Sequence, residues 1–167
     1  MKRLFQVLTI IPIVVMIFVI FGFSAENAEE SSSKSEKIVV AVAEVVIKDF
    51  DELPKEQSQS IIEALTHYIR KLAHFSEFAL LGLFTSLHIV SLSFAYSEIT
   101  FNKVLPFSWL FCTFVAVSDE LHQLFVPGRG CGVGDMIIDS MGSLTGILIL
   151  ILFVFVLFNK SLKSIIF

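Results

Sequence analysis

The chain has 167 residues, 55% hydrophobic and only 17% charged, with 18 phenylalanines and a formal net charge of −4 at pH 7. A soluble domain carries roughly 25% charged residues and needs no apolar runs of about twenty residues, so an ordinary water-soluble fold is excluded. No basic cluster has the density that nucleic acid requires, and Cys112 in an apolar run and Cys131 in a glycine-rich turn do not read as a disulfide pair. The expectation is an all-α protein: a polytopic membrane helix bundle with about four transmembrane helices, its first partner the lipid bilayer.

Residues 1–23 form the first segment. Lys2 and Arg3 precede an almost wholly apolar run over 4–23, long enough to cross a hydrocarbon core of about 30 Å. A basic start, an apolar middle and small residues near Ser24-Ala25 also describe a cleaved signal peptide. The run is long for that, and cleavage after Ala25 leaves the bulky Phe23 where a small residue is wanted. An uncleaved first span is the expectation, with its N-terminus cytoplasmic because Lys2 and Arg3 come before it.

Residues 24–60 read as an acidic, polar extracytoplasmic segment. The opening SAENAEESSSKSEK has the composition of an extended, solvated tract. Residues 38–47 are apolar but too short to span and carry Glu44, which points to a surface helix or strand. Asp49, Asp51 and Glu52 follow before Pro54.

Residues 61–159 hold the remaining three spans. Ile61, Leu65, Tyr68, Ile69 and Leu72 recur at helical spacing opposite Glu63 and Arg70, an amphipathic approach to a second span over about 72–94. A polar connection over 96–103 leads to a third span over about 105–121, with Pro106 in its first turn, where the missing N–H is tolerated. The fourth span covers about 136–158, before a short basic tail at 160–167 containing Lys160 and Lys163. Four spans place both termini on the cytoplasmic side and the acidic segment outside.

Ionisable residues gather where these spans meet the same membrane face, and intramembrane ionisable groups mark function by default. Lys71, His74 and Phe78 share a helical face, with Glu77 nearby. Asp119 precedes His122 and Gln123 at helical spacing. Asp135, Asp139, Gly142 and Gly146 line one stripe, and the glycine pair permits close approach of another helix. Lys71, His74, Glu77, Asp119, Glu120, His122, Arg129, Asp135 and Asp139 are therefore expected to converge. Lys71, His74, Arg129, Asp135 and Asp139 are the candidate ligand-binding residues. His74, Glu77, Asp119, Glu120 and His122 are the acid–base candidates. Lys71 and Arg129 have a plainer use as snorkelling cations, and the whole set could be a structural ion-pair network. His67 and His88 receive no role. With no HExxH or comparable compact spacing, no metal and no cofactor are expected.

Three separated motifs, RKLAHFSEFALLG at 70–82, SDELHQLFVPGR at 118–129 and D-x-x-x-D-S-x-G-x-x-x-G at 135–146, resemble the VanZ-like family. The resemblance extends over roughly 4–158 and includes a first span ending in a Phe-Ser pair. Its signature positions map onto Lys71, His74, Phe75, Glu77, Gly82, Asp119, Glu120, His122, Gln123, Pro127, Gly128, Arg129, Asp135, Asp139 and Gly142. Gly130-Cys131-Gly132 stands where the family's turn opens with serine, and Gly134 where a polar or basic residue often precedes the first aspartate.

The resemblance implies a small bacterial inner-membrane protein linked to teicoplanin resistance, a glycopeptide antibiotic resistance acting at the cell envelope. A cell-wall precursor or the glycopeptide itself is the implied partner. Two alternatives from other classes stand beside this reading: a membrane enzyme acting on a lipid-linked phosphate or amide, and a structural or regulatory membrane partner without catalysis.

Overall fold

The computed structural model describes residues 2–48, 50–93, 96 and 101–166. Asp49 of the acidic segment, Phe94 at the expected end of the second span, and 97–100 of the expected polar connection lie outside the described residues. Five α-helices follow in order: α1 (Lys2–Ser24), α2 (Ala28–Val46), α3 (Lys55–Ser93), α4 (Val104–Gln123) and α5 (Val133–Ile166), with short 3-10 turns at Phe50–Glu52 and Phe101–Lys103. Among the described residues there is no strand. Helices α1, α3, α4 and α5 are each long and apolar enough to cross a membrane. Their outward faces are paved with large apolar side chains such as Phe18, Leu110, Phe114, Leu152 and Phe155, which suits a chain whose solvent there is lipid.

Helix α3 is the axis of the bundle and packs against each of the other four helices. Its 39 residues extend about 58 Å at 1.5 Å per residue, nearly twice a hydrocarbon core. The amphipathic approach and the second span are thus one continuous helix. Its first part is too polar for a hydrocarbon core, and α2 packs on the same helix. Helices α1 and α4 run one way and α3 and α5 the other, so Ser24, Lys71, Gln123 and Asp135 all lie at one end. An interior of Ile13, Met16, Ile20, Phe78, Leu81, Cys112, Val115 and Ala116 joins α1, α3 and α4.

The α3–α5 seam is set by small residues. A Cβ at Gly142 would collide with the carbonyl of Phe75, one at Gly146 with the carbonyl of Ala79, and one at Gly82 with the carbonyl of Ser143. The two backbones therefore touch, which is the close packing that glycine allows between membrane helices. Polar clips add to it. Trp109 Nε1 donates to Ser140 Oγ at 3.0 Å and Thr113 shares the same hydroxyl at 2.9 Å, tying α4 to α5. At the far end Thr9 Oγ1 meets His88 Nδ1 at 2.9 Å and Ser91 Oγ at 3.2 Å, tying α1 to α3.

The Ser/Glu-rich opening of the acidic segment is helical rather than extended. Asn27 is the N-cap of α2, its side chain accepting from the Glu30 N–H at 2.9 Å, with Glu29 and Glu30 in the first turn. Capping and acidic residues at the positive end of the helix dipole offset the weak helix propensity of the serines. Val39 and Ala43 supply the buried face, and Lys34 pairs with Glu26. The apolar run expected over 38–47 takes the helical alternative as far as Val46, with Ile47 as the extended C-cap. Helix α5 continues through the expected 160–167 tail as far as Ile166.

Candidate functional site

The end of the bundle that carries α2 is held together by polar contacts from every helix. Asp119, on α4, is fully buried. Its Oδ2 accepts from Ser24 Oγ at 2.7 Å and from Gln123 Nε2 at 3.0 Å. Gln123 stands one turn beyond Asp119 on the same face and also reaches Glu120 Oε1 at 3.4 Å. Glu120 is buried too, its Oε2 accepting from the Gly132 N–H at 2.8 Å, which fastens the start of α5 to the end of α4.

Arg129 lies in the α4–α5 turn and reaches back to α1. Its Nε donates to the Glu26 carbonyl at 3.0 Å, one terminal nitrogen to the Phe23 carbonyl at 3.1 Å, and the other to Gln123 Oε1 at 3.4 Å. These bonds satisfy carbonyls that the end of α1 leaves without intrahelical partners. Burial pushes the guanidinium below its ordinary pKa, as does nearby Arg70, against the pull of Asp119, Glu26 and Glu120. An arginine stays charged through such a shift. Gly128 makes the turn with φ +74, the left-handed region open to glycine. The Ala28 N–H donates to the Pro127 carbonyl at 3.3 Å, closing the turn onto the start of α2.

Beneath this clasp is a cavity of about 200 Å³ lined by His67, Arg70, Lys71, His74, Glu120, Gln123, Gly128, Arg129, Gly130, Asp135, Ile138 and Asp139. Lys71 Nζ and Asp135 Oδ1 form an ion pair of 2.8 Å, both side chains partly exposed. Asp135 sits in the first turn of α5, where the helix dipole favours it. Asp139, one turn deeper, is buried with both carboxylate oxygens lacking a hydrogen-bond partner. His74 lines the cavity, its Nδ1 4.0 Å from Glu77 Oε2. Glu77 faces a second, adjoining cavity of about 150 Å³ that also borders His74, Arg70, Arg129 and α2.

Six of the nine residues expected to converge line the first cavity: Lys71, His74, Glu120, Arg129, Asp135 and Asp139. Asp119 is packed behind it and Glu77 beside it. The exception is His122. Its ring lies 5.5 Å from that of Phe21 on α1, outside the lining of either cavity. Spacing relative to Asp119 allows either His122 or Gln123 to turn inward, and Gln123 takes that place because it bonds Asp119, Glu120 and Ser24. Sequence reasoning gave no role to His67, which lines the cavity. It also missed Ser24, whose signal was a hydroxyl closing an apolar run.

Four helices long and apolar enough to cross a membrane, with buried carboxylates, a half-buried histidine and an arginine clasp at one end, define a multi-pass membrane protein with an internal polar site. The chain belongs to the VanZ/LLP1 family, whose sequence model matches residues 9–155 and so includes every residue of the site. No curated protein and no solved structure matches the chain significantly.

Proposed function

We propose that the cavity binds an anionic, phosphate-sized group of a cell-envelope lipid or lipid-linked wall precursor, and that the protein thereby lowers susceptibility to teicoplanin-type glycopeptides. In this reading it lies in the bacterial inner membrane with both termini cytoplasmic and the cavity facing out. The observation that carries it is the ring of Arg70, Lys71 and Arg129 around one cavity at the end of the bundle, where lipid headgroups reside. Guanidinium and ammonium groups at that depth suit a phosphate. The volume supports the smaller of the two partners. About 200 Å³ falls below the roughly 300–1,000 Å³ of pockets for drug-sized ligands, so a whole glycopeptide does not fit and a headgroup phosphate does. Membership of the VanZ/LLP1 family supports the link to glycopeptide resistance.

The test is deletion and complementation in a strain that expresses the chain. Deletion raises teicoplanin susceptibility, and Arg129→Gln present at parental membrane abundance fails to restore resistance. Unchanged susceptibility after deletion, with expression in the parent verified, overturns the proposal. Catalysis on the bound phosphate is the second reading, favoured by His74 and Glu120 lining the same cavity as an acid–base pair. Turnover of a lipid-linked phosphate by the purified protein, lost in Glu120→Gln, distinguishes it from binding alone.

A further inference from the structure

We propose that His74, Asp119 and Asp139 form a binding site for one divalent transition-metal cation of the Zn²⁺ or Mn²⁺ kind. Each residue offers one ligand atom, and those atoms all lie within 4.8 Å of one another. They come from three helices, His74 on α3, Asp119 on α4 and Asp139 on α5, so no linear motif announces them. Bonds of about 2.0–2.2 Å require donors within about 4.4 Å of one another. The set closes on an ion with side-chain adjustments of a few tenths of an ångström.

The second observation is what these donors lack. Asp139 is 1% exposed, yet neither of its oxygens has a hydrogen-bond partner. Asp119 is 0% exposed and all its bonds fall on Oδ2, leaving Oδ1 bare. His74 Nδ1 is likewise buried and unpartnered. Bare carboxylate oxygens inside a membrane protein are among the most costly groups to bury, and two that face each other repel. None of Arg70, Lys71 and Arg129 bonds these bare oxygens: Lys71 pairs with Asp135, and Arg129 holds two backbone carbonyls and Gln123. A divalent ion neutralises both carboxylates and uses the imidazole nitrogen at once.

The donor set narrows the ion. Ca²⁺ takes six to eight oxygens and Mg²⁺ prefers oxygen and water, whereas an imidazole with two carboxylates suits first-row cations. Ser24 and Gln123 hold Asp119 through the oxygen it would not need for the metal. His74 and Asp139 also line the cavity, so three protein donors leave a fourth position open toward it, the arrangement of reactive rather than structural metal sites. The inference concerns the proposed binding cavity but stands on donor atoms alone, and its test needs no envelope ligand.

Full-length protein, purified in detergent with chelator and dialysed, is titrated calorimetrically with zinc chloride and manganese chloride. Elemental analysis after desalting gives the stoichiometry. The expected result is about one equivalent bound per chain with a rise in melting temperature. Asp139→Asn and Asp119→Asn, which keep side-chain volume, and His74→Ala should each weaken binding by more than about tenfold. His88→Ala, at the far end of the bundle beside Thr9, should bind as the parent does. If a trio variant fails to fold, uptake and thermal shift of the parent chain remain decisive. No saturable uptake by the parent overturns the site. Uptake indifferent to all three substitutions, or uptake of Mg²⁺ or Ca²⁺ alone in parallel titrations with their chlorides, also overturns it. Loss of the glycopeptide phenotype bears on the envelope reading and leaves this titration standing.

Discussion

Ser24, the last residue of α1, donates a 2.7 Å hydrogen bond to Oδ2 of Asp119, near the end of α4, and both residues are fully buried. This one contact fixes the depth of the first span against the third, and it aims the other oxygen of Asp119 away from α1. Ser24→Ala removes a donor to a buried carboxylate and leaves Gln123 alone on that oxygen. An expected loss of about 1–3 kcal/mol in stability follows from the desolvation penalty of the unsatisfied group. Thermal unfolding in detergent reads it, and an unchanged melting temperature removes the bond from any account of the fold.

The α3–α5 seam makes a sharper prediction. Gly142→Ala places a methyl group against the Phe75 carbonyl, where backbone and not a flexible side chain must give way. Overpacking of this kind costs about 1–3 kcal/mol. It also separates the helices that carry His74 and Asp139, so membrane abundance and any ligand binding should fall together. Gly134→Ala, at an exposed position in the first turn of α5 with nothing near its Cβ, serves as the control. There alanine should be neutral or stabilising by up to about 1 kcal/mol, because glycine is the poorer helix residue.

Much of this architecture is legible in the sequence, because a bilayer demands about twenty consecutive apolar residues and the chain supplies four such runs. Alternation of four spans also brings Lys71 and Asp135 to the same end, and they pair there. What composition hides is local or rotational. The Ser/Glu richness of 24–37 masks the Asn27 cap that starts α2. The choice of Gln123 over His122 as the inward residue depends on how α4 is rotated, which packing decides through Phe21 and Ser24. The alternation of spans already brings His74, Asp119 and Asp139 to one end, but their meeting as donors within 4.8 Å of one another depends on three helix rotations at once.

Lys71 and Asp135 separate binding from stability. Their side chains are 34% and 43% exposed, and ion pairs so open to solvent contribute about 0–1 kcal/mol. Lys71→Gln should therefore leave the melting temperature within a degree or two while removing one of the cations around the cavity. Antibiotic susceptibility rising toward that of the deletion strain, at normal abundance, is the expected result. A large drop in melting temperature would instead make the pair a structural strut.

Arg129 is the opposite case. Its planar fork reaches two carbonyls of the α1–α2 connection and the Gln123 amide oxygen, a geometry that the single ammonium of lysine cannot reproduce. Arg129→Lys keeps the charge and breaks the clasp. Protease sensitivity of the α1–α2 connection should rise even though the local potential is nearly unchanged. Equal protection in both proteins would mean that charge alone holds the turn in place.

The two cysteines test which way the site faces. Cys131 is exposed in the α4–α5 turn, next to the cavity-lining Gly130, whereas Cys112 is buried in the bundle interior. An exposed thiol reacts with a maleimide far faster than a buried one, since reaction needs access and ionisation to thiolate. With the cavity outward, a membrane-impermeant maleimide labels right-side-out protoplasts at Cys131, and Cys131→Ser abolishes the signal while Cys112→Ser does not. Labelling that appears only in inverted vesicles places Arg129 and the whole cavity in the cytoplasm. That outcome removes extracellular wall precursors as the occupant and leaves lipid phosphates of the inner leaflet in their place.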